Sequence, residues 1–278
     1  MHVYSAIEYS VLNNSGQTVF IYGYGGTGKT FLWNTLFANI RNKGKIVLVV
    51  ASSGIVALLL PGGRTPHSRF RIPLDIQEDS MCAIKKNTHL AKLIQQTYLI
   101  IWDEASVNHR HFFEAFDHTL RDIMSSINHD LVNMQFGGIT VVLGGDFRQT
   151  LLVIPNARKQ QILNASITRS RLWKNCVVLE LTENMRLNCP TFSQQDKFRL
   201  ELFATWLLSL GDGVVHDSAP TDRPDATWVE IPSYLLLPAK ERNLAGLISF
   251  LYDSIPHLSQ LPTYLCERAI LAPMNEIA

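Results

Sequence analysis

The chain has 278 residues, which is long enough for one large domain or two smaller ones with a full hydrophobic core. Its 25 Lys and Arg residues nearly balance its 24 Asp and Glu residues, so the overall charge does not indicate a broadly basic nucleic-acid binder, although a local groove can still be positive. Four scattered cysteines without a C-x-x-C pair argue against a disulfide framework or a zinc site and favour a reducing compartment. The N-terminus lacks a basic region followed by an apolar core, so we expect a soluble intracellular protein rather than a secreted one.

The first motif along the chain is a glycine-rich loop between an apolar run at Val19–Tyr22 and a helical stretch at 31–37. It reads G-Y-G-G-T-G-K-T and matches the phosphate-binding pattern G-x-x-x-x-G-K-[ST] in the context of strand, loop and helix. Glycines let backbone N–H groups surround phosphate oxygens, Lys29 can reach the β- and γ-phosphates, and the Thr30 hydroxyl can ligate Mg²⁺. The predicted nucleotide-binding residues are Gly23, Gly25, Gly26, Thr27, Gly28, Lys29 and Thr30.

The most apolar stretch follows at residues 45–61. Ser52-Ser53-Gly54 divides it into two pieces that are each too short to span a bilayer, so we predict a buried strand at Ile46–Val50 and then a short helix. Residues 64–96 are more polar and contain Pro66 and Pro73, and they are predicted to form a small insertion between core strands.

A second motif ends the next apolar run, Tyr98–Trp102, with Asp103 and Glu104. A strand that ends in two carboxylates places them at the carboxyl edge of a sheet, beside the phosphate loop. Asp103 would hold Mg²⁺ directly or through water, and Glu104 would act as the general base for the attacking water. Strand ends often carry a solvated carboxylate, and it is the phosphate loop upstream that makes this motif specific.

Two further motifs follow the remaining strands. Gln149 comes directly after the run Thr140–Leu143 and is a candidate sensor of the γ-phosphate, although two glycines and an Asp before it would also make an ordinary turn. Arg186 follows the run Val177–Leu181 and is a candidate arginine finger, although a lone Arg after a strand is more often a surface residue.

These apolar runs are uninterrupted rather than alternating, which is typical of parallel strands buried on both faces. Between the third and fourth runs, apolar residues from Phe112 to Met124 repeat at helical spacing and predict a helix that packs on the sheet. The chain is therefore predicted to be an α/β protein with a mostly parallel sheet over residues 1–188. A helix at Lys197–Leu210 and a surface loop at Asp217–Thr227 are predicted in the remainder, 189–278.

Other nucleotide-dependent classes fit less well. A GTPase needs an N-K-x-D loop, and Asn42-Lys43-Gly44-Lys45 fails at the fourth position. A small-molecule kinase can carry the phosphate loop, but Asp103, Glu104 and Gln149 favour hydrolysis over transfer. His109 and His111 have no carboxylate at ligand spacing and are expected to be exposed side chains rather than a metal site.

Taken in order, the motifs resemble the PIF-type (petite integration frequency) DNA helicases, a branch of the superfamily-one helicases, and most closely their plant and transposon-associated members. The likeness is carried by G-Y-G-G-T-G-K-T, A-S-S-G-I-V-A-L-L-L-P-G-G-R-T-P-H-S-R-F-R-I-P-L, D-E-A-S, G-G-D-F-R-Q-T and L-T-E-N-M-R, and it continues into W-L-L-S-L-G-D-G and R-A-I-L-A-P-M-N-E.

The resemblance implies a RecA-like ATPase domain and a monomeric motor that depends on ATP and Mg²⁺. Such a motor moves 5′ to 3′ on single-stranded DNA and unwinds forked duplexes in repair, recombination and telomere maintenance, in the nucleus or in an organelle. By position, Lys29, Thr30, Asp103, Glu104, Gln149 and Arg186 would serve ATP and its metal ion. Arg64, Thr65, His67 and Ser68 lie in the family segment that touches DNA.

The chain departs from the family pattern at both ends. No Gln upstream of the first strand matches the residue that reads adenine in the family. The sequence ends at Asn275–Ala278, where the second RecA-like domain is expected to begin. Two hypotheses therefore stay open: the N-terminal motor half of an ATP-dependent helicase, or a non-enzymatic remnant that binds nucleotide or DNA without productive unwinding.

Overall fold

The computed structural model describes residues 2–149, 152–188, 190, 192–214, 229–252, 264–265 and 268–270. The chain divides into two compact units, Met1–Asp212 and Gly213–Ala278. The first unit contains the parallel sheet and all the motifs that suggest chemistry. In the second, the described residues form helix α9, Leu244–Leu251, and two short 3₁₀ turns at Ser233–Leu235 and Ala239–Glu241. The predicted loop at Asp217–Thr227 lies outside the described residues.

The first unit alternates strands and helices, as the apolar runs predict. Its helices are α1 (His2–Leu12), α2 (Lys29–Asn42), α3 (Gly54–Leu58), α4 (Pro66–Phe70), α5 (His89–Gln95), α6 (Arg110–Met124), α7 (Lys159–Ala165) and α8 (Gln194–Gly211). Its strands are β1 (Thr18–Tyr22), β2 (Ile46–Ala51), β3 (Thr97–Asp103), β4 (Thr140–Gly145) and β5 (Cys176–Glu180). The five predicted strands and the helices at 54–58, 110–124 and 194–211 are thus confirmed, and α1 is a helix that the sequence did not indicate.

The five strands form one parallel sheet in the order β2-β3-β4-β1-β5. Helices α1, α2 and α3 pack on one face and helices α4, α5 and α6 pack on the other, so the core has two apolar layers. Alternate strand residues face opposite layers, which is why the strand sequences are apolar without interruption. The predicted mostly parallel α/β architecture is confirmed.

Strand β5 differs from the expectation of strands buried on both faces. It lies at the edge of the sheet, and its Val177 and Val178 are 43% and 45% exposed. The other edge strand, β2, is buried from Val47 to Ala51, so the exposure of β5 comes from incomplete cover of its faces and not from its edge position alone.

The predicted insertion at 64–96 packs into the core rather than standing away from it. Phe70 and Ile94 are fully buried against the α6 layer, and the ring centroid of Phe70 lies 4.1 Å from that of Phe116. Within the described part of the chain, no helix is long and apolar enough to cross a membrane.

Helix α6 is held by a buried carboxylate at its centre. Asp117 is fully buried, accepts a hydrogen bond from the Phe136 backbone N–H at 2.6 Å, and pairs with Arg121 at 2.9 Å and Arg171 at 3.5 Å. One side chain thus joins α6 to the turn at 135–138 and to the 3₁₀ turn at Arg171–Asn175.

We expect Asp117→Ala to lower the free energy of unfolding by about 2–3 kcal/mol, because the buried Phe136 N–H would lose its partner while the two guanidinium groups can still reach solvent. Asp122→Ala in the same helix is the matched control, since Asp122 only makes a half-exposed pair with Lys86 and should cost less than about 1 kcal/mol. Urea denaturation measures both. Equal losses for the two variants would contradict this role of Asp117.

Candidate nucleotide-binding and nucleic-acid-binding sites

The candidate nucleotide site lies where several strands of the parallel sheet end. The phosphate loop follows β1, Asp103 ends β3, Gln149 comes shortly after β4, and Arg186 follows β5. Parallel strands end at the same edge of a sheet, so these residues converge although up to 163 positions separate them in sequence. A cleft of about 550 Å³ at this edge is lined by all six predicted catalytic and metal-binding residues: Lys29, Thr30, Asp103, Glu104, Gln149 and Arg186.

The phosphate loop has the conformation that its glycines predict. Gly26 and Gly28 have φ angles of 95° and 86°, in the region that favours glycine, and Gly28 caps the start of α2. Lys29 is 8% exposed, and its ammonium donates to the Gly23 carbonyl at 2.5 Å. The loop therefore places the lysine and the N-terminus of α2 at the bottom of the cleft, where a phosphate would sit.

The two strand-end carboxylates lie beside the lysine. Asp103 is 3% exposed and accepts a hydrogen bond from the Glu104 backbone N–H at 3.1 Å. Burial raises the pKa of Asp103 above its ordinary value, and burial together with the neighbouring Asp103 charge raises the pKa of Glu104. Both carboxylates would therefore gain from a cation bound beside them.

Glu104 adopts a left-handed backbone conformation, with φ 52° and ψ 40°. The Ser52 hydroxyl lies 2.6 Å from the Glu104 carbonyl and anchors this residue to the end of β2. The Oε2 atom of Glu104 is buried and has no hydrogen-bond partner among the described residues. Glu104 also lines the cleft, and a buried carboxylate oxygen without a protein partner suits a bound water molecule.

The oxygen donors of the cleft fit a magnesium ion. Thr30 supplies a hydroxyl and Asp103 a carboxylate, and hard oxygen donors are the ligands that Mg²⁺ prefers. Among the described residues, no group of three or more His, Cys, Asp or Glu side chains could hold a metal ion.

The turn after β5 docks directly on the phosphate loop. The Met185 backbone N–H donates to the Gly26 carbonyl at 2.9 Å, and Asn184 accepts from the Arg186 N–H at 3.1 Å. A methyl group placed on Gly26 would lie 2.4 Å from the Asn184 side-chain oxygen, so only glycine fits there. This contact aims Arg186 into the cleft. The sequence showed Asn184 inside a motif, but nothing in the pattern indicated that it packs on the loop.

We expect Gly26→Ala to displace the Asn184–Arg186 turn, because the added methyl group meets Asn184 and the backbone conformation disfavours an L side chain by about 1–2 kcal/mol. Nucleotide affinity measured by titration calorimetry should fall at least about tenfold. Gly44→Ala is the matched control, since its φ is 72° but its added methyl group meets nothing within 4 Å. If Gly44→Ala weakened nucleotide binding as much as Gly26→Ala, the loss would come from backbone strain in general and not from displacement of the Asn184–Arg186 turn.

Gln149 is exposed, and its side chain lines the nucleotide cleft as well as a neighbouring cleft of about 530 Å³ against α8. Its neighbour Arg148 pairs with Asp212 at 2.5 Å and lies over the Tyr22 ring. Sequence reasoning missed Arg148 and Asp212, because 64 positions separate them and no spacing links them.

The predicted DNA-contact residues lie apart from the nucleotide cleft. Arg64 bonds through its backbone to β2, and Thr65 caps α4 by accepting from the Ser68 N–H at 3.3 Å. Arg64 and Ser68 are exposed, whereas His67 is half-buried with its ring 4.9 Å from that of Phe112. Burial lowers the pKa of His67.

His109 and His111 are not the exposed side chains that the sequence led us to expect. His109 accepts a hydrogen bond from the His111 N–H at the start of α6, and both residues are half-buried. Burial, followed by the neighbouring His111 and Arg110, lowers the pKa of His109. The physical reason is their neighbours: His109 caps α6, and the His111 ring lies 3.9 Å from the buried carboxylate of Glu114.

The sequence matches the family model of the PIF1-like helicases over residues 1–221. The chain belongs to the PIF1-like helicase family.

Relatives and solved structures agree with this family. The chain is 32% identical to the ATP-dependent DNA helicase PIF4 of Trypanosoma brucei brucei over 149 residues, which covers 52% of the chain and 18% of PIF4. It is 26% identical to the ATP-dependent DNA helicase PIF1 of the mouse over 262 residues, covering 88% of the chain and 37% of that relative.

The crystal structure of Bacteroides Pif1 bound to single-stranded DNA superposes with a TM-score of 0.57 at 25% identity, covering 75% of this chain and 46% of the Bacteroides chain. The chain thus spans less than half the length of these PIF1-like relatives. Its parallel sheet with helices on both faces is the RecA-like fold of the family.

Proposed function

We propose that the chain is the N-terminal motor part of an ATP-dependent DNA helicase that moves 5′ to 3′ on single-stranded DNA and opens forked duplexes. The observation that carries this proposal is the convergence of Lys29, Thr30, Asp103, Glu104, Gln149 and Arg186 on one cleft at the carboxyl edge of the sheet. Relatives in the family are named ATP-dependent DNA helicases, and the Bacteroides relative was crystallised with single-stranded DNA.

In this mechanism, Lys29 leaves the Gly23 carbonyl and donates to the β- and γ-phosphate oxygens of ATP. Thr30 and Asp103 would hold Mg²⁺, which supplies charge neutralisation at the phosphates when it is bound. Glu104 takes the proton of the attacking water, a role that suits a carboxylate whose pKa burial raises above its ordinary value.

Arg186 and Gln149 complete the wall of the cleft. Arg186 has no ion pair among the described residues, so its guanidinium is free to stabilise charge that builds on the γ-phosphate. Gln149 reports the presence of that phosphate by moving with the loop after β4.

For DNA, we propose contacts from Arg64, Thr65, His67 and Ser68 to backbone phosphates. The exposed guanidinium, hydroxyl and backbone groups of this segment position a strand without reading its sequence. We further propose that 1–188 is the ATPase domain and that 189–278 leads towards a second RecA-like domain. The whole protein would work as a monomer on nuclear DNA, or on organellar DNA, in repair, recombination and telomere maintenance.

The test is ATP hydrolysis by this chain with and without single-stranded DNA, in the presence of Mg²⁺. Turnover that DNA stimulates would support the motor proposal. A chain that binds nucleotide but shows no turnover with or without DNA would support the non-enzymatic remnant instead. Removing Mg²⁺ with a chelator should abolish the turnover.

A further inference from the structure

A second polar groove lies outside the nucleotide site. It has a volume of about 470 Å³ and runs between the first half of α6 and the turns at 167–175. It shares no residue with the cleft that holds Lys29 and Glu104. Four cations line it: Arg110 from α6, and Arg169, Arg171 and Lys174 from the turns.

The cations of this basic groove are in excess over its carboxylates. Two carboxylates line the groove, Glu78 and Glu114. Glu114 is 6% exposed, accepts a hydrogen bond from the Ser170 hydroxyl at 2.6 Å and lies 3.9 Å from the His111 ring, so both of its oxygens face groups of the protein. Arg169 and Lys174 are exposed, and their side chains make no ion pair with any described residue. A chain of nearly zero net charge therefore concentrates unpaired positive charge at this place.

Two of the four cations are held in position. The Arg110 guanidinium donates to the Arg169 carbonyl at 3.2 Å, and the Arg171 guanidinium lies 3.5 Å from the buried carboxylate of Asp117. Both groups keep further N–H donors for a ligand, since a guanidinium carries five. A cation fixed in this way loses less freedom when it binds an anion.

The basic groove and the proposed DNA-contact segment lie over the same face of the sheet, on either side of α6. The His67 ring contacts Phe112 on one side of this helix, and the Arg110 guanidinium reaches the Arg169 carbonyl on the other, since residues two apart on a helix point in nearly opposite directions. Phe70 of α4 and Ile167 beside the groove belong to the same core layer. A DNA strand held at Arg64–Ser68 would therefore cross α6 to reach the groove.

We propose that the basic groove binds backbone phosphates of single-stranded DNA that extends beyond the contact segment at Arg64–Ser68. This inference rests on the DNA-binding part of the proposed function. The Trp173 ring packs edge-on against Phe20 at 5.1 Å and is half-buried, so the groove offers cations rather than a stacking platform. Binding there is independent of DNA sequence and sensitive to salt.

The test compares Arg169→Glu with Arg41→Glu, which makes the same charge change on α2, on the other face of the sheet. Fluorescence anisotropy with a labelled oligonucleotide of about 20 nucleotides should show Arg169→Glu binding about threefold or more weaker at 0.2 M salt. Its salt slope should be smaller by about 0.7 for each lost phosphate contact. Lys174→Glu should behave like Arg169→Glu, and Glu78→Gln should strengthen binding.

Oligonucleotide length provides an independent readout. An oligonucleotide of about 6 nucleotides fits the contact segment alone and should bind wild type and Arg169→Glu equally. One result would overturn DNA binding at the groove but leave the proposed function intact. In it, all three Glu variants bind the long oligonucleotide as tightly as wild type, and DNA still stimulates ATP hydrolysis. If wild type neither binds the oligonucleotide nor hydrolyses ATP faster with it, both the groove proposal and the proposed function are wrong.

Discussion

Replacing Lys29 by alanine is expected to lower the rate of ATP hydrolysis by about 100- to 1,000-fold. The Lys29 ammonium is the only cation that the phosphate loop itself supplies, and it lies at the bottom of the cleft within 2.5 Å of the Gly23 carbonyl. Without it, the charge of the β- and γ-phosphates would face two carboxylates, Asp103 and Glu104, with one protein cation fewer. Nucleotide affinity should also fall, because the lysine contacts the phosphates of bound ATP, but it should fall less than turnover, because the charge that the lysine stabilises grows in the transition state.

Lys43→Ala is the matched control for this variant, since Lys43 follows the other end of α2 and pairs with Glu8 on the surface. Circular dichroism checks that both variants fold, and a steady-state phosphate-release assay measures turnover. An alanine variant at position 29 that hydrolysed ATP at the wild-type rate would show that the cleft is not the site of turnover.

Glu104→Gln is expected to separate binding from chemistry. The amide keeps the size of the side chain but cannot take a proton, so turnover should fall by about 100- to 10,000-fold while nucleotide affinity changes only a few-fold. Single-turnover hydrolysis and equilibrium titration measure the two quantities. Glu201→Gln, on exposed helix α8, makes the same chemical change outside the cleft and should leave both unchanged. A large loss of affinity without a loss of turnover would contradict the role of Glu104 as base.

The same substitution should stabilise the fold in a pH-dependent way. Burial and the Asp103 charge raise the pKa of Glu104 above its ordinary value of 4.5, so the folded chain holds its proton more tightly than the unfolded chain does. Wild type therefore loses stability as the pH rises through the raised pKa of Glu104, and Glu104→Gln does not. The Tm of the variant should exceed that of wild type above this range, and the difference should vanish below about pH 4.5.

If Glu104→Gln raises the Tm while it lowers turnover, Glu104 is a residue that serves function at the expense of stability. Three features of Glu104 are each unfavourable for the folded state. They are its left-handed backbone, its buried Oε2 atom without a partner and its acidic neighbour Asp103. A Tm difference that did not change with pH would mean that the glutamine acts through packing and not through charge.

The residues of the candidate nucleotide site and the elements that carry them could be predicted from the sequence alone. Strand β1, the phosphate loop and helix α2 are recognisable locally, because glycines at fixed spacing, an apolar run and a helical pattern each report on neighbouring residues. The apolar stripe of α6 and the strand that ends in Asp103 can also be predicted from residues that are close together in the sequence.

How these elements meet depends on the tertiary fold. The strand order places β1 between β4 and β5, so the turns that carry Gln149 and Arg186 flank the phosphate loop. No periodicity encodes that order. The docking of Asn184 on Gly26, the pair of Arg148 with Asp212 and the contact of His67 with Phe112 likewise join distant parts of the chain. The basic groove shows why the sequence alone could not predict such sites. Arg110 and Arg169 are 59 positions apart, and they form one positive groove only because α6 and the later turns pack against each other.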